Sequence, residues 1–467
     1  MRRILLVNFL VEEKLGSGKE KHLLRMSRGE PLGLMYLASV FKLERNIEAD
    51  ILDERIVPFS ADGLAEIIDR GGYDALGIYL CTDPDLEKKA ARIIETVRGR
   101  TSVPIIAGGP PFEAEPILKA GCDMVCNGEG ERTALDMLDV IEGKRGRDST
   151  PGISYIEGGS VIETPPRAPV EDLDSIPFPT RSRSAAGKYF ALGNINMRRP
   201  YFSVVASRGC PMNCAYCSST TMWGRQIRHR SPANVLEEIS MLVSDCKARY
   251  IAFRDDIFGG NGDWNEEFCL GMIDRKYPVG WVCNMHPSLP RRDAEARMRL
   301  LRRAGCDTVH FGIQSADPEI LKSINRKPEE PLLLKEKIVA AKKQGMLTFV
   351  EFIVGLPGET RDSVARSVDF AFESRPDFIA VYSLGILKGS PLYDLQKARS
   401  RPLTELTKAE IDGCVHSFRR KYMTNPRTVI NLVRYVLKNN PKWLITALFS
   451  LYQIFTMLGV NSKRKTF

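Results

Sequence analysis

The stretch SRGCPMNCAYCS, residues 207–218, places three cysteines within eight positions. Cys210 and Cys214 are separated by three residues, and Cys217 follows after two more. A structural zinc site closes its tetrahedron with four ligands, usually supplied as two pairs. An iron–sulfur cluster normally also takes four thiolates, so three on one loop leave an iron for another ligand. The triplet therefore predicts an open metal site, with closed zinc binding or simple packing as alternatives.

The triplet follows the first of six apolar runs, each of which precedes a helical stretch. Within residues 201–395 the runs are YFSVVAS, YIAFRD, GWVCNM, TVHFGI, TFVEFIVG and FIAVYSL. Six βα units in series predict a partial (β/α)6 barrel, whose chemistry lies on loops at the carboxyl ends of the strands. Three such loops carry polar or glycine-rich sequences: FRDDIFGGN (253–261), GIQSADPEILKSINR (312–326) and FIVGLPGET (352–360).

The rest of the chain divides into three regions. Residues 1–145 alternate runs rich in Val, Ile and Leu with amphipathic segments, which predicts an α/β, doubly wound, Rossmann-like domain. Residues 146–200 are rich in Pro, Gly and Ser, and predict a small hairpin followed by an extended linker. Residues 396–467 are predicted to form a helical C-terminal region.

Composition restricts the class of protein. A chain of 467 residues is too long for one ordinary core, so two or three domains are expected. The eleven cysteines are an odd number and are scattered through apolar segments, which is untypical of a disulfide-stapled secreted protein and favours the cytoplasm. The formal net charge of +9 is small for this surface, and no nucleic-acid partner is predicted.

The cysteine spacing, with Tyr216 just before the last thiol, resembles the signature of the radical S-adenosylmethionine (radical SAM) enzymes. A doubly wound domain ahead of the barrel, joined through DLDSIPFPTR, resembles the cobalamin-binding class of that family. This class includes the anaerobic magnesium-protoporphyrin ester cyclases and hopanoid-pathway proteins. The resemblance covers roughly residues 1–395. It implies three cofactors: a [4Fe–4S] cluster, SAM and cobalamin.

The resemblance also implies site residues, although it identifies no catalytic side chain. The cluster ligands would be the three thiols of Cys210, Cys214 and Cys217. The residues expected to contact SAM are Tyr216, Asp255, Asp256, Gln314, Ser315, Gly355 and Gly358. Those expected to contact cobalamin are Gly108, Gly109, Pro110, Asn127, Gly128, Glu129, Gly130 and Glu131. Turn and capping roles for the SAM set, and a generic nucleotide site for the cobalamin set, are the alternatives.

One departure from the family pattern concerns the cobalt. Cobalamin domains that replace the lower axial base carry Asp-x-His-x-x-Gly, whereas the comparable loop here is DERIVP (53–58). We therefore expect no histidine of this loop beneath the cobalt. Alternatively, the domain is degenerate and binds no corrin. The five histidines are scattered along the chain. His286 follows the third barrel strand and is placed to face the barrel mouth, with a hydrogen-bonded loop histidine as the alternative.

The predicted activity is SAM cleavage to a 5′-deoxyadenosyl radical, with methylation or another modification of an unactivated carbon. The tail FRRKYMTNPRTVINLVRYVL resembles the cyclase and hopanoid relatives, whose substrates are large and hydrophobic: lipid, isoprenoid or tetrapyrrole-like. A radical cyclase, oxidase or carbon–carbon-forming enzyme is the alternative, and a non-catalytic Fe–S or zinc scaffold is an alternative of another class. A low-potential ferredoxin or flavodoxin is expected as the electron donor.

The end of the chain suggests a membrane contact. The segment from Trp443 to Val460 is apolar, and it is flanked by basic residues at 419–421, 427, 434, 438, 442 and 463–465. Such a segment is short for a transmembrane span but suits a helix in the headgroup region of an anionic bilayer. We therefore predict peripheral association with the inner face of the membrane. A helix packed on the protein's own core is the alternative.

Overall fold

The computed structural model describes residues 1–10, 29–80, 84–181, 188–189, 198–260, 262–289, 293–398 and 402–439. The first sheet has seven strands in the order β2-β1-β3-β4-β5-β6-β7. The strands are β1 (Arg3–Asn8), β2 (Glu48–Asp53), β3 (Ala75–Tyr79), β4 (Ile105–Gly109), β5 (Met124–Asn127), β6 (Ile153–Glu157) and β7 (Ser160–Glu163). Its helices are α1 (Leu32–Arg45), α2 (Ala61–Gly71), α3 (Pro84–Arg98), α4 (Ala114–Lys119) and α5 (Gly130–Ile141).

Helices cover both faces of this sheet. The strands β1 to β5 are parallel, and their side chains alternate between two cores. Leu5 and Val7 pack with α2, α3 and α4, whereas Ile4 and Leu6 pack with α1 and α5 on the other face. The runs of Val, Ile and Leu are needed because a parallel sheet is buried on both sides. The doubly wound fold predicted from the sequence is confirmed.

The hairpin predicted within residues 146–200 extends the first sheet. Strand β6 pairs antiparallel with β5, and β7 pairs antiparallel with β6. A short 3₁₀ helix, Leu173–Ser175, follows the hairpin. The proposed domain boundaries at 145, 200 and 395 remain predictions.

The second sheet has six parallel strands in the order β15-β14-β13-β12-β11-β8. They are β8 (Tyr201–Val204), β11 (Tyr250–Phe253), β12 (Gly280–Met285), β13 (Cys306–Gln314), β14 (Leu347–Val354) and β15 (Phe378–Ser383). A two-stranded ribbon pairs β9 (Ser207–Arg208) with β10 (Arg228–His229). Because the strand order ends at β8 and β15, the sheet is an open barrel, as the six βα units predict.

Ten described helices accompany the second sheet. They are α6 (Ser219–Trp223), α7 (Pro232–Ser244), α8 (Gly262–Arg275), α9 (Ala294–Arg303), α10 (Pro318–Ser323), α11 (Glu330–Lys343), α12 (Arg361–Ser374), α13 (Pro391–Ala398), α14 (Lys408–Met423) and α15 (Pro426–Asn439). The largest core lies between strands and helices, where Val309, Phe311 and Ile313 of β13 are fully buried. Alternate residues of the same strand therefore point inside the barrel.

The C-terminal helices lie beyond the last strand. Helix α14 begins with a capping box. The side chain of Thr407 accepts the backbone N–H of Glu410, and the side chain of Glu410 accepts the backbone N–H of Thr407. Its Phe418 is buried against Phe352 of β14, with ring centroids 4.9 Å apart. No helix within the described ranges is long and apolar enough to cross a bilayer. The apolar segment from Trp443 to Val460 lies outside the described residues.

Candidate functional site

A large cavity lies between the two sheets, at the carboxyl ends of their strands. Its volume is about 1290 Å³, which exceeds the 300–1,000 Å³ typical of a pocket for one small molecule. Among the residues expected to bind cofactors, those on its wall are Cys210, Cys214, Tyr216, Cys217, Asp255, Asp256, Gln314, Gly108, Gly109, Pro110, Gly128, Gly130 and Glu131. Those that do not line it are Asn127, Glu129, Ser315, Gly355 and Gly358.

The cysteine loop is fixed by backbone hydrogen bonds. The N–H of Cys210 donates to the carbonyl of Gly224 at 3.2 Å, and that of Cys217 donates to Cys214 at 3.1 Å. Gly209 has φ of 101°, and a Cβ there would lie 2.1 Å from the carbonyl oxygen of Gln226, so only glycine fits. The loop thus holds three free thiols on one wall of the cavity.

Burial favours the protonated form of all three thiols when no cation is bound. Burial raises the pKa of Cys210 to about 12, and burial also raises the pKa values of Cys214 and Cys217. A bound metal replaces the thiol proton and so favours the thiolate. Within the described part of the chain, no three His, Cys, Asp or Glu side chains form a group that could hold a single metal ion. A cluster distributes its thiolates over several irons, and this donor set fits that requirement.

A buried arginine beside the cysteines was missed in the sequence. Arg326 donates from Nη1 to the hydroxyl of Tyr216 at 3.2 Å and from Nη2 to the carbonyl of Gly312 at 2.8 Å. Its Nε donates to Glu330 at 2.7 Å, so the pair is charge-balanced. The guanidinium opposes the effect of burial on the pKa of Cys214. In the sequence, Arg326 lies at the end of the 312–326 loop next to Lys327, and nothing there marks it as buried.

The two aspartates after β11 have different surroundings. Asp255 is buried, and it accepts the N–H of Ala206 at 3.1 Å and the hydroxyl of Ser207 at 2.6 Å. Burial raises its pKa to about 6, and these hydrogen bonds oppose that shift. Asp255 thereby supports the start of the cysteine loop. Asp256 is exposed to the cavity and is the carboxylate of the two that remains available to a ligand.

Gln314 and Ser315 are neighbours but point to different places. Gln314 has φ of 68° and lines the cavity. Ser315 is fully buried, and its hydroxyl accepts the N–H of Asp317 at 3.2 Å, next to Ser367. The structure therefore supplies a local structural role for Ser315, and SAM contact by this residue remains a prediction.

The glycines of GLPGET form a turn beside the barrel. Gly355 has φ of 98°, and a Cβ there would come within 2.9 Å of Ile411 on α14. Gly358 has φ of 75° and donates its N–H to Leu403. Thr360 caps α12, as the sequence predicts. Burial raises the pKa of Glu359 to about 7, although its carboxylate accepts backbone N–H groups of the turn.

The first sheet presents bare backbone to the cavity. At Gly128, with φ of 97°, an added Cβ would meet no atom within 4 Å, so this position faces open space. Gly109 has φ of 148°, and a Cβ would lie 2.0 Å from the carbonyl oxygen of Leu80, which makes glycine obligatory for packing. Pro110 follows it on the wall. A flat ligand can approach such a surface closely, so the site fits a corrin.

Glu129 and Glu131 join the two sheets. Arg208 of β9 donates to Glu131, with its Nη1 3.3 Å from Oε2. The guanidinium carbon of Arg208 lies 4.9 Å from the centroid of the Trp223 ring. Arg228 of β10 donates to Glu129 at 2.6 Å. All four charged groups are buried. Asn127 instead bonds to Ser154 of β6 at 2.7 Å, so contact of Asn127 and Glu129 with cobalamin remains a prediction.

The loop DERIVP has a self-contained ion pair. Arg55 binds Asp53 through two parallel contacts of 2.9 and 2.6 Å and lines the cavity. The described part of residues 1–145 contains no histidine. The two histidines on the cavity wall, His286 and His310, come from the barrel. Nδ1 of His286 accepts the N–H of Ser288 at 3.1 Å, and burial lowers its pKa to about 2, so the ring is neutral.

Comparison with known proteins agrees with this two-part site. Residues 204–371 match the radical SAM superfamily, and residues 25–138 match the B12 binding domain. An uncharacterized methyltransferase of Pyrococcus horikoshii is 31% identical over 383 residues, covering 80% of each chain. The anaerobic magnesium-protoporphyrin IX monomethyl ester cyclase of Rubrivivax gelatinosus is 28% identical, over 74% of this chain and 62% of the cyclase.

A solved structure with the same architecture is that of TsrM from Kitasatospora setae, a radical S-adenosylmethionine methyltransferase with cobalamin and a [4Fe–4S] cluster bound. It aligns with a TM-score of 0.70 over 86% of this chain and 76% of that chain, at 19% identity. The fold and the cysteine loop define a radical SAM protein with an N-terminal cobalamin domain. The chain belongs to the radical SAM superfamily, in its B12-binding class.

Family membership confirms the predicted enzyme class and cofactor set. The chain is a cobalamin-dependent radical SAM enzyme of the methyltransferase-like kind, with a [4Fe–4S] cluster, SAM and cobalamin as its cofactors. The cavity that these cofactors would share is the one described above. The residue-by-residue assignments remain proposals.

Proposed function

We propose that this enzyme methylates an unactivated carbon of a hydrophobic, lipid-, isoprenoid- or tetrapyrrole-like substrate. The observation that carries the proposal is the single cavity whose walls include both the cluster thiols and the glycine face of the first sheet. A methyl group can pass between two cofactors and a substrate only if all three share one water-poor chamber. A volume of about 1290 Å³ suits more than one ligand.

The proposed division of labour follows from the side chains. When bound, the cofactors supply a transferable methyl group and a 5′-deoxyadenosyl radical. Cys210, Cys214 and Cys217 would hold the cluster, while Asp256 would accept hydrogen bonds from the amino group of SAM. Gly128 would let the corrin lie against backbone. The walls of the cavity would keep bulk water from the radical.

A radical cyclase without methyl transfer is the second candidate, supported by the likeness to a magnesium-protoporphyrin ester cyclase. A mass balance of SAM products separates the two. The protein would be reconstituted anaerobically with iron, sulfide and cobalamin, then given SAM and dithionite in place of a ferredoxin or flavodoxin. Methylation with hydrogen abstraction produces S-adenosylhomocysteine and 5′-deoxyadenosine in equal amounts, whereas cyclisation produces 5′-deoxyadenosine without the homocysteine product. Neither product from a fully loaded protein would refute both readings.

The cobalt should lack a protein imidazole ligand. DERIVP contains no histidine, and Arg55 in that loop is paired with Asp53. We expect the spin-resonance spectrum of the reduced, Co(II) protein to show no nitrogen hyperfine splitting from a protein ligand. A nitrogen splitting that changes when the histidines of the protein are labelled with ¹⁵N would refute this prediction, since the benzimidazole base of cobalamin would be unaffected by that label. Protein purified without corrin after growth on cobalamin would refute cobalamin binding altogether.

The C-terminal region is proposed to bind the inner face of the membrane. On helix α15, Ile430 and Leu437 are 48% and 46% exposed, and the helix also carries Arg427 and Arg434. Basic residues near an anionic surface contribute roughly 1 kcal/mol each. In flotation with phosphatidylserine vesicles, the intact protein should float, while a chain ending at Asn440 should stay folded and remain at the bottom. An intact protein that does not float would contradict the proposal.

A further inference from the structure

Glu351 of β14 lines the inner wall of the barrel, together with His310, Gln314 and Phe349. In the sheet register, Glu351 lies beside Gly312 on one neighbouring strand and Ala380 on the other. The space over Gly312 is filled by the side-chain amide of Gln314, because Nε2 lies 2.4 Å from where a Cβ on Gly312 would stand. A ligand group therefore reaches Glu351 from the cavity that it lines.

Glu351 differs from other carboxylates inside the protein. Glu330 is bound by Arg326, and Glu238 is bound by Arg181 and Arg230. Glu351, in contrast, makes no hydrogen bond or ion pair with any residue in the described ranges. Its pKa is raised by burial. A carboxylate held in a partly desolvated wall without a partner destabilises the protein, so a bound partner would offset that cost.

The surroundings of Glu351 mix apolar and polar side chains, and Tyr382 on the neighbouring strand is close enough to interact with it electrostatically. The ring of Phe349 stacks on His310 with centroids 4.6 Å apart, and Val282 lies on the same wall. Nε2 of His310 has no hydrogen-bond partner among the described residues. Arg254 is already engaged by the hydroxyls of Tyr201 and Ser203. The wall thus combines aromatic and aliphatic surface with the carboxylate of Glu351, which no described side chain pairs.

We propose that Glu351 anchors the substrate, and that the substrate carries a hydrogen-bond-donating group, a protonated amine above all, on an otherwise apolar body. The proposal rests on the proposed function in taking this cavity as the substrate site. It adds that one polar group of the hydrophobic substrate binds Glu351 and so orients the substrate in the cavity. An ammonium beside a carboxylate forms a charge-assisted hydrogen bond, the strongest kind available to this wall.

The test uses hexylamine as the probe, with hexanol and hexanoate as matched ligands of the same chain length. Binding to the holoenzyme, loaded with cluster, cobalamin and SAM, is measured by ligand-observed NMR under anaerobic conditions. We expect hexylamine to bind the wild-type protein more tightly than hexanol or hexanoate. Glu351→Gln should weaken hexylamine by about tenfold or more, since one charged hydrogen bond is lost. Glu336→Gln, on the exposed side of α11, should leave it unchanged.

Two results would overturn the proposal: equal binding of hexylamine to the wild-type and Glu351→Gln proteins, or loss of SAM or cobalamin binding in Glu351→Gln. The latter would assign the carboxylate to a cofactor. Substrate-free cleavage of SAM to 5′-deoxyadenosine should be equal in the wild-type and Glu336→Gln proteins. If the wild-type protein binds hexylamine through Glu351 but cleaves no SAM, the proposed function fails while the anchoring site stands.

Discussion

Alanine at any one of Cys210, Cys214 and Cys217 should abolish reductive cleavage of SAM and lower the iron content. All three thiols are free and lie on the same cavity wall, and we expect each to bind one iron of the cluster. We expect 5′-deoxyadenosine formation to fall by about a thousandfold or more, since an incomplete cluster cannot hold SAM on its open iron. The measurements are iron per chain and product by mass spectrometry.

Cys246→Ala is the matched control for these variants. Cys246 is buried, as Cys210 and Cys214 are, but it packs in the core between the barrel sheet and its outer helices. This variant should load a full cluster and cleave SAM at the wild-type rate, with the modest stability loss of a small core cavity. A Cys214→Ala protein with full iron content and turnover would refute the cluster assignment.

Arg208→Met should loosen the contact between the two sheets. Burial alone raises the pKa of Glu131, but the charge of Arg208 and its hydrogen bond outweigh burial and lower it. Without Arg208, the carboxylate of Glu131 would stay buried and unpaired, which typically costs about 3–5 kcal/mol. We expect the denaturant midpoint to fall accordingly, and bound cobalamin to be lost because Glu131 and Gly130 share its proposed wall.

A second substitution separates charge from packing. In Arg208→Met/Glu131→Met the stranded charge is gone, so most of the stability should return. Arg132→Met is the surface control, because its pair with Glu44 is partly exposed and should contribute below about 1 kcal/mol. If Arg208→Met and Arg132→Met have equal midpoints, the buried pair has no special role.

Much of the fold could be predicted from the sequence because it depends on local patterns. The apolar runs of both sheets became strands, since a run of β-branched and aromatic residues between turns has few other ways to be buried. The cysteine loop was equally local: spacing alone placed three thiols together. The two buried pairs at Glu129 and Glu131 were not predictable, because their partners lie about 80 to 100 residues away.

Side-chain direction accounts for the other differences. Gln314 and Ser315 are adjacent, yet the first lines the cavity and the second is fully buried beside Ser367. Which of two neighbours faces inward depends on the curvature of the barrel, and the sequence does not encode that directly. Glu351 did leave a signal, since it is the single charged residue in the apolar run TFVEFIVG.

Arg208 lies two positions before Cys210 and grips Glu131, on the helix that follows the glycine face. A displacement of the cysteine loop would therefore displace the proposed corrin-binding wall through this contact. A displacement of that wall would in turn move the cysteine loop. If binding of one cofactor strengthens this contact and so raises the affinity for the second cofactor, thermodynamic linkage requires a reciprocal effect. The second cofactor then raises the affinity for the first by the same factor. The two halves of the enzyme would be assembled as partners, with neither cofactor site independent of the other.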